Sequence, residues 1–387
     1  MGKMGPDLPV LFFWFFASLL FYVYALYPLS VMAVSLVAGK KVKKAGFQPY
    51  ISIVIAAYNE AKVIAATIEN KLGLDYPADR LEIIVVSDSS DDGTDEIVSR
   101  YRDRHVRLIR QTPRQGKTSG LNLALPRAQG EIIVFSDSNS IYSRNALIDI
   151  AADFADPSVG YVTGKMIYVN PDGSITGDGC SAYMKYENML RKFESAAGSA
   201  VGVDGGIDAI RKKLFTPMRP DQLPDFILPL KVVEQGYRVV YEPAALLNEN
   251  SLSSPADEYR MRVRVSLRAL NALKDMRHLM NPFKYGLFAW QLFSHKLLRY
   301  GAFVFLLSLY VCNLLAIHAG VFYRLFFLLQ NAFYLTAIVL SCMAGRVKPP
   351  RIFYVPFYFC LVNAASMHAF WKFMNHEKMT TWAPRKG

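Results

Sequence analysis

The sequence predicts an α/β domain on a mostly parallel sheet, held between membrane helices, and three observations predict it. Charged residues gather between about positions 40 and 280, leaving both ends of the 387-residue chain almost purely apolar. Within the charged stretch, short β-branched runs alternate with segments of helical spacing, the pattern of parallel strands covered by helices on both faces. The length suits one domain of about 200 to 250 residues plus a further apolar part.

The first element runs from Val10 to Gly39 without a charge and exceeds the roughly 20 residues needed to span the hydrocarbon. A signal peptide has a shorter apolar core and a small-residue cleavage site, so this stretch reads as a retained helix, with Pro28 kinking it or marking its exit. "KKVKK", Lys40 to Lys44, follows directly. Positive charge beside a span marks the cytoplasmic side, which places the middle domain in the cytosol. From Tyr50, "YISIVIAAYNE" reads as a strand and "EAKVIAATIENKL" as a helix; "LEIIVVSDSS" and "DEIVSRYRDR" repeat the pair. "VRLIRQ", "KTSGLNLALPRA" and "GEIIVFSDSNS" add a strand, a helix and a fourth strand. Asn281 to Tyr300 mixes aromatic residues with Lys284, His295, Lys296 and Arg299. It reads as a helix lying in the membrane interface with its lysines snorkelling, and His295 as interface packing rather than a base. Apolar stretches at about 297 to 318, 321 to 344 and 352 to 371 follow, the last two separated by the basic "GRVKPPR". Four spans put both termini outside, while the basic tail pulls the other way, as an interfacial or re-entrant segment would allow. The expected divisions are 1–45 (membrane helix and basic flank), 46–280 (cytosolic domain), 281–299 (interface helix) and 300–387 (membrane helices and tail).

The net charge of +12 does not imply nucleic acid. Much of it flanks the membrane segments, where anionic lipid accounts for it, and no basic stripe interleaved with stacking aromatics stands elsewhere. Of four cysteines, Cys312, Cys342 and Cys360 fall in apolar stretches and Cys180 stands alone. That usage, with six scattered histidines, supports neither a disulfide framework nor a zinc site.

In parallel sheets ligands bind beyond the carboxyl ends of the strands. The first strand ends in Tyr58-Asn59-Glu60, the second in Asp88-Ser89-Ser90-Asp91-Asp92 and the fourth in Asp137-Ser138-Asn139. One such Asp is ordinary turn chemistry; acidic clusters at two strand ends of one sheet point to a site. Gly116-Lys117-Thr118 has the tail of a P-loop, but the motif needs glycine at position 111, where Gln111 stands, and Pro113 suits no glycine-rich cradle. Lys117 nonetheless sits beside a helix N-terminus, where it can face an anionic ligand.

Taken in order, "SIVIAAYNE", "IIVVSDSSDDGTDEI", "RQGKTSGLNLAL" and "IIVFSDSNS" resemble the donor half of a family 2 glycosyltransferase with the GT-A fold. "VGVDGGIDAIRKKLF" resembles its acceptor-side strand and loop, and "LPDFILPLKVVEQGYRVVYEP" the segment with the catalytic base. The likeness covers about residues 50 to 275. With the flanking helices it resembles the membrane branch that makes cellulose, hyaluronan, chitin oligomers and bacterial exopolysaccharides. The resemblance implies a cytoplasmic-membrane enzyme using a nucleotide-sugar donor, UDP-linked by expectation, and magnesium or manganese. Its acceptor would be a growing polysaccharide or lipid-linked saccharide, with membrane lipids and an export partner around it.

Residue by residue, the resemblance assigns Asp88 to the nucleotide base, with Ala57, Tyr58, Glu60 and Ser90 nearby and Lys117 on the donor side. Asp137 matches the first acid of the D-x-D metal motif and Asn139 its second ligand. Asp204, Gly205 and Gly206 match the acceptor side, Asp225 the general base, and Arg264 the arginine of Q-x-x-R-W facing the pyrophosphate. Such groups are needed because a departing diphosphate gathers negative charge, and a sugar hydroxyl must lose its proton as it attacks. Attack opposite the leaving group inverts the anomeric centre.

Three positions depart from the pattern. D-x-D reads Asp137-Ser138-Asn139, T-E-D reads Leu223-Pro224-Asp225, and Q-x-x-R-W reads Met261-Arg262-Val263-Arg264-Val265. The lookalike "QGYRV" at Gln235 belongs to a strand. Losing the glutamine and tryptophan leaves open a non-processive enzyme adding one sugar to a polyprenyl-linked or glycolipid acceptor; all three departures together leave open an inactive nucleotide-sugar-binding protein. Arg260, Arg264 and Arg268 share one helical face, and for Arg260 and Arg268 a solvated stripe is an open alternative.

Overall fold

The computed structural model describes residues 8–169, 175–250, 254–343 and 353–380. The N-terminal apolar run forms α1 (Leu8–Phe21) and α2 (Tyr27–Ala38), joined through a π turn at Tyr22–Leu26. Pro28 gives the Tyr24 carbonyl no N–H partner, and the Tyr186 hydroxyl donates to it instead at 3.3 Å. The helix therefore continues past Pro28 as one 31-residue apolar segment rather than leaving the core there.

The strands are β1 (Ile51–Ala57), β2 (Leu81–Asp88), β3 (Val106–Gln111), β4 (Ile132–Asp137), β5 (Ile141–Tyr142), β6 (Val159–Val169), β7 (Ile207–Arg211) and β8 (Arg238–Asn250). Among the described residues they form one mixed sheet in the order β3-β2-β1-β4-β7-β6-β8-β5. β1 pairs in parallel with β2 and β4, and β2 with β3. β7 then runs antiparallel to β4 and β6, while β6 and β8 are parallel. The helices of this domain are α3 (Ile64–Leu72), α4 (Thr94–Ser99), α5 (Lys117–Ala124), α6 (Ala146–Asp153), α7 (Ile175–Ala197), α8 (Pro224–Glu234) and α9 (Pro255–Asp275).

Every residue of β1 is buried because alternate side chains meet different layers. Ile53 and Ile55 pack with Ile64 and Ile68 of α3 and Leu147 of α6. Val54, between them, packs with Leu121 of α5, Ile227 of α8 and Ala269 of α9. Each such aliphatic side chain contributes about 1.5–3 kcal/mol by burial, and the two layers fix where the strand ends emerge.

Beyond α9 come α10 (Pro282–Gln291), a π turn at Leu292–Leu297, α11 (Leu298–Tyr300), α12 (Ala302–Leu315), α13 (Val321–Met343) and α14 (Tyr354–Met374). Here the structure revises two expectations. The 281–299 segment does not simply lie in the interface: Phe288 and Leu292 are buried in the α5–α8–α9 layer, while Phe283 is 99% exposed. The expected four apolar stretches also differ in how readily each would span. Among the described residues, Leu8–Ala38 and Val321–Met343 are long and apolar enough to cross a membrane, and Pro282–Tyr300 with Ala302–Leu315, bent by 57°, would make a third if taken as one span. Over 352–371, α14 instead packs Ala365 and Ala369 against Val263, Leu267 and Leu270 of α9. The "GRVKPPR" linker and the end of the basic tail lie outside the described residues.

Candidate active site

A cavity of about 620 Å³ lies beyond the carboxyl ends of β1 and β4, with Glu60, Lys117, Asp137, Asn139, Asp225 and Arg264 in its wall. β4 ends on Asp137. Lys117 opens α5 after Gly116, whose φ of 92° requires glycine-like freedom. Asp225 stands in the first turn of α8 behind Pro224, a suitable first helical residue. The positive end of the helix favours the carboxylate there. Lys117 Nζ is 2.7 Å from Asp137 Oδ1 and 3.8 Å from Asp225 Oδ1. One ammonium thus joins two carboxylates that the sequence holds 88 residues apart.

Burial works against the charge of Lys117, but Asp137 and Asp225 outweigh it and hold the ammonium above the ordinary lysine range. Burial raises Asp225 above the usual carboxylate range; Lys117 pulls it down, Asp137 pushes it up, and Arg268 and Arg264 pull it down again. Beside it, Asp208 on β7 is fully buried and pushed up to about 7, by burial first and by Asp225 next. Tyr161 Oη donates to Asp208 at 2.9 Å and the Gly205 N–H at 3.1 Å.

The backbone of Gly205 lies against Asp225, with φ of 83°, and a Cβ there would stand 2.6 Å from Asp225 Oδ2. Gly205→Ala is therefore expected to displace the Asp225 carboxylate and to lower by at least about tenfold any turnover in which that carboxylate reacts, since small misplacements of a reacting group carry large rate penalties. Turnover measured beside a melting curve checks this; an alanine variant with native turnover would show that Asp225 need not stand where it does. Gly206 is equally confined, by Leu247. Asp204 is buried against Arg191 at 2.5 Å and accepts the Met166 N–H at 3.0 Å.

The residues expected around the nucleotide stand at and just past the ends of β1 and β2, with Glu60 in the cavity wall. Asp88 is buried and accepts from the Gln111 amide, from the Gln115 N–H at 2.8 Å and from the Gly116 N–H at 2.9 Å. It anchors the loop that presents Lys117 and is not part of the cavity wall. Ser90 accepts from the Asn59 N–H at 3.1 Å, Ala57 is buried at the end of β1, and the Tyr58 ring carries the Arg114 guanidinium 3.5 Å from its centre.

α9 separates its three arginines. Arg260 is exposed and paired with Asp257, Arg264 faces the cavity, and Arg268 is buried rather than part of a solvated stripe. Arg268 donates to Thr118 Oγ1 at 3.0 Å and to the Gln222 and Asp221 carbonyls, tying α9 to the N-terminus of α5 and the turn before Asp225. His295 is likewise not interface packing: it is 2% exposed, with ring nitrogens 2.6 Å from Glu194 and 3.4 Å from Glu187. Asp208 belongs to no motif; its one signal in the sequence is an acid in the otherwise apolar run "GGIDAI".

Among the described residues no three His, Cys, Asp or Glu side chains form a metal cage. Asp137 and Asn139 offer one carboxylate and one amide oxygen, a sparse set that fits a hard cation taking its remaining ligands from phosphate and water.

Residues 52–221 match the family described as Glycosyl transferase family 2. A probable glycosyltransferase, YdaM, of Bacillus subtilis is 26% identical over 56% of this chain and 54% of its own. Poly-beta-1,6-N-acetyl-D-glucosamine synthase of Staphylococcus epidermidis is 26% identical over 51% and 48%, and beta-monoglucosyldiacylglycerol synthase of Trichormus variabilis 27% over 43% and 37%. The chain thus spans about half or less of the length of these relatives. Among solved structures, the mannosyltransferase PcManGT of Pyrobaculum calidifontis, in complex with GDP-Man and Mn2+, covers 95% of this chain and 99% of its own with a TM-score of 0.69 and 23% identity. At that identity the likeness speaks for the fold. The ordered strand ends, the mixed sheet and these matches agree: residues 52–221 are similar to glycosyl transferase family 2, and the fold is of the GT-A type.

Proposed function

We propose that the protein is an inverting glycosyltransferase of the cytoplasmic membrane, with its catalytic domain on the cytosolic side, that moves a sugar from a nucleoside diphosphate to a saccharide or lipid-linked acceptor. The observation that carries this reading is the convergence of Asp137, Lys117 and Asp225 in one cavity at the strand ends. Asp225 accepts the proton of the attacking hydroxyl. Lys117 and Arg264 turn positive charge toward the departing diphosphate. Asp137 and Asn139 would hold magnesium or manganese, which supplies further positive charge to that leaving group when bound. Asp88, Tyr58 and Ser90 shape the loop on the nucleotide side, and Asp204 to Gly206 the acceptor side.

Two or three spanning helices among the described residues give little enclosure for a polymer channel. That favours transfer of a single sugar to a lipid-linked acceptor, or a partner that completes the channel, over chain growth by this chain alone.

The test is nucleoside diphosphate release by the purified, lipid-reconstituted protein across UDP- and GDP-sugars. One donor is expected to be turned over, with a loss of more than about tenfold on chelation and recovery with manganese or magnesium. If no donor is turned over in the presence of membrane lipids, the protein is a binding protein and the transferase reading fails.

A further inference from the structure

The cavity does not end at Asp225. Its wall continues past Gly202 to Lys296 and Arg299, and then to Tyr24 of the N-terminal spanning helix and Phe359 and Val362 of α14. The rings of Tyr24 and Phe359 lie 5.4 Å apart, so this end is closed by the membrane helix itself.

The basic side chains at this end lie at unequal distances from their acids. Arg191 is committed to Asp204 at 2.5 Å and to the Gly202 and Val203 carbonyls. Glu194 lies outside the wall and accepts from Tyr27 Oη, His295 Nδ1 and the Val201 N–H. On the wall, Arg299, His295 and Lys296 all converge on Glu187, at 2.6, 3.4 and 3.9 Å. Glu194 is the nearer partner of His295, so Glu187 is left mainly to Arg299, and Lys296, 3.9 Å from Glu187 and 3.4 Å from His295 Nε2, is the cation with no acid within hydrogen-bond distance. Gly202 makes room for its head: a Cβ there would stand 2.6 Å from Lys296 Nζ. A cation in a confined space, with no carboxylate within hydrogen-bond distance and next to apolar walls, suits an anion carried on an apolar tail.

We propose that Lys296 and Arg299 form an acceptor subsite for the phosphate of a lipid phosphate, whose chain lies along Tyr24, Phe359 and Val362. The proposal rests on the lipid-linked-acceptor reading above and names its chemistry. It also gives α1 and α2 a part in substrate binding beyond anchorage.

The experiment titrates the full chain, in discs of neutral phosphatidylcholine, with farnesyl monophosphate, farnesol and inorganic phosphate, following intrinsic fluorescence. Wild type is expected to bind farnesyl phosphate at least tenfold more tightly than either of the other two. Lys296→Met should bring farnesyl phosphate down to the level of farnesol, while Lys296→Arg keeps the preference. The proposal is overturned if wild type binds farnesol or inorganic phosphate as tightly, or if Lys296→Met keeps the preference. It also falls if a nucleoside diphosphate displaces farnesyl phosphate competitively, because the cations then belong to the donor. The wild-type comparison needs no variant to fold and no donor to be turned over. A failed donor panel with an intact phosphate preference would therefore separate the two readings.

Discussion

Asp225→Asn is expected to lower sugar transfer by about 10²- to 10⁴-fold, the range a positioned general base contributes, while nucleotide-sugar binding changes little. The amide keeps the shape of the carboxylate and its place in the first turn of α8, so the packing around Gly205 survives. What it loses is the ability to take a proton. Lys117 keeps Asp137 as a partner at 2.7 Å, so the cation stays in place. Single-turnover rates and donor affinity, measured together, check the prediction. A rate within about threefold of wild type would remove Asp225 from the chemistry, and a matched loss of donor affinity would move it to the donor side.

The parts legible in the sequence are those set by local pattern. β1 and β2 read as continuous apolar runs because both faces of the sheet are covered, and their acidic ends follow from where such strands stop. The illegible parts depend on contacts between distant segments. A spacing of four puts Arg260, Arg264 and Arg268 on one face of α9, but only the packing of α5, about 150 residues earlier, decides that Arg268 is buried on Thr118. His295 reads as an interface residue because its neighbours are aromatic and basic. Its partners Glu187 and Glu194 come from α7, about 100 residues away. The apolar stretch at 352–371 resembles a span for the same reason: small residues such as Ala365 and Ala369 allow close packing on α9, and composition alone does not distinguish that from contact with lipid. Asp88 looks like a ligand at a strand end, and in the folded chain its carboxylate receives the loop that positions Lys117.

That loop makes Lys117 the residue whose removal should disturb the site most widely. Lys117→Met leaves Asp137 and Asp225 facing one cavity without the ammonium between them. The charge it withdraws is the largest influence holding Asp225 down against burial. In wild type the Asp225 carboxyl already titrates above the usual carboxylate range, so the acid limb of the activity profile should lie higher than a solvent-exposed Asp would give. A base works only when deprotonated, and losing the cation favours the protonated form. The limb should therefore move further toward neutral pH in the variant, in the same direction as the Asp137 carboxylate already pushes. Turnover on the plateau should also fall, by about 10²- to 10³-fold, as for loss of one donor aimed at developing charge. Lys117→Arg should recover part of both effects, because the charge returns with a different reach. The decisive observation is the pH dependence of kcat/KM: a limb that stays where wild type has it, or moves to lower pH, would mean that Lys117 does not act on the group whose ionisation limits transfer. An upward shift with unchanged plateau turnover would confine Lys117 to tuning Asp225 and leave Arg264 as the principal cation on the diphosphate.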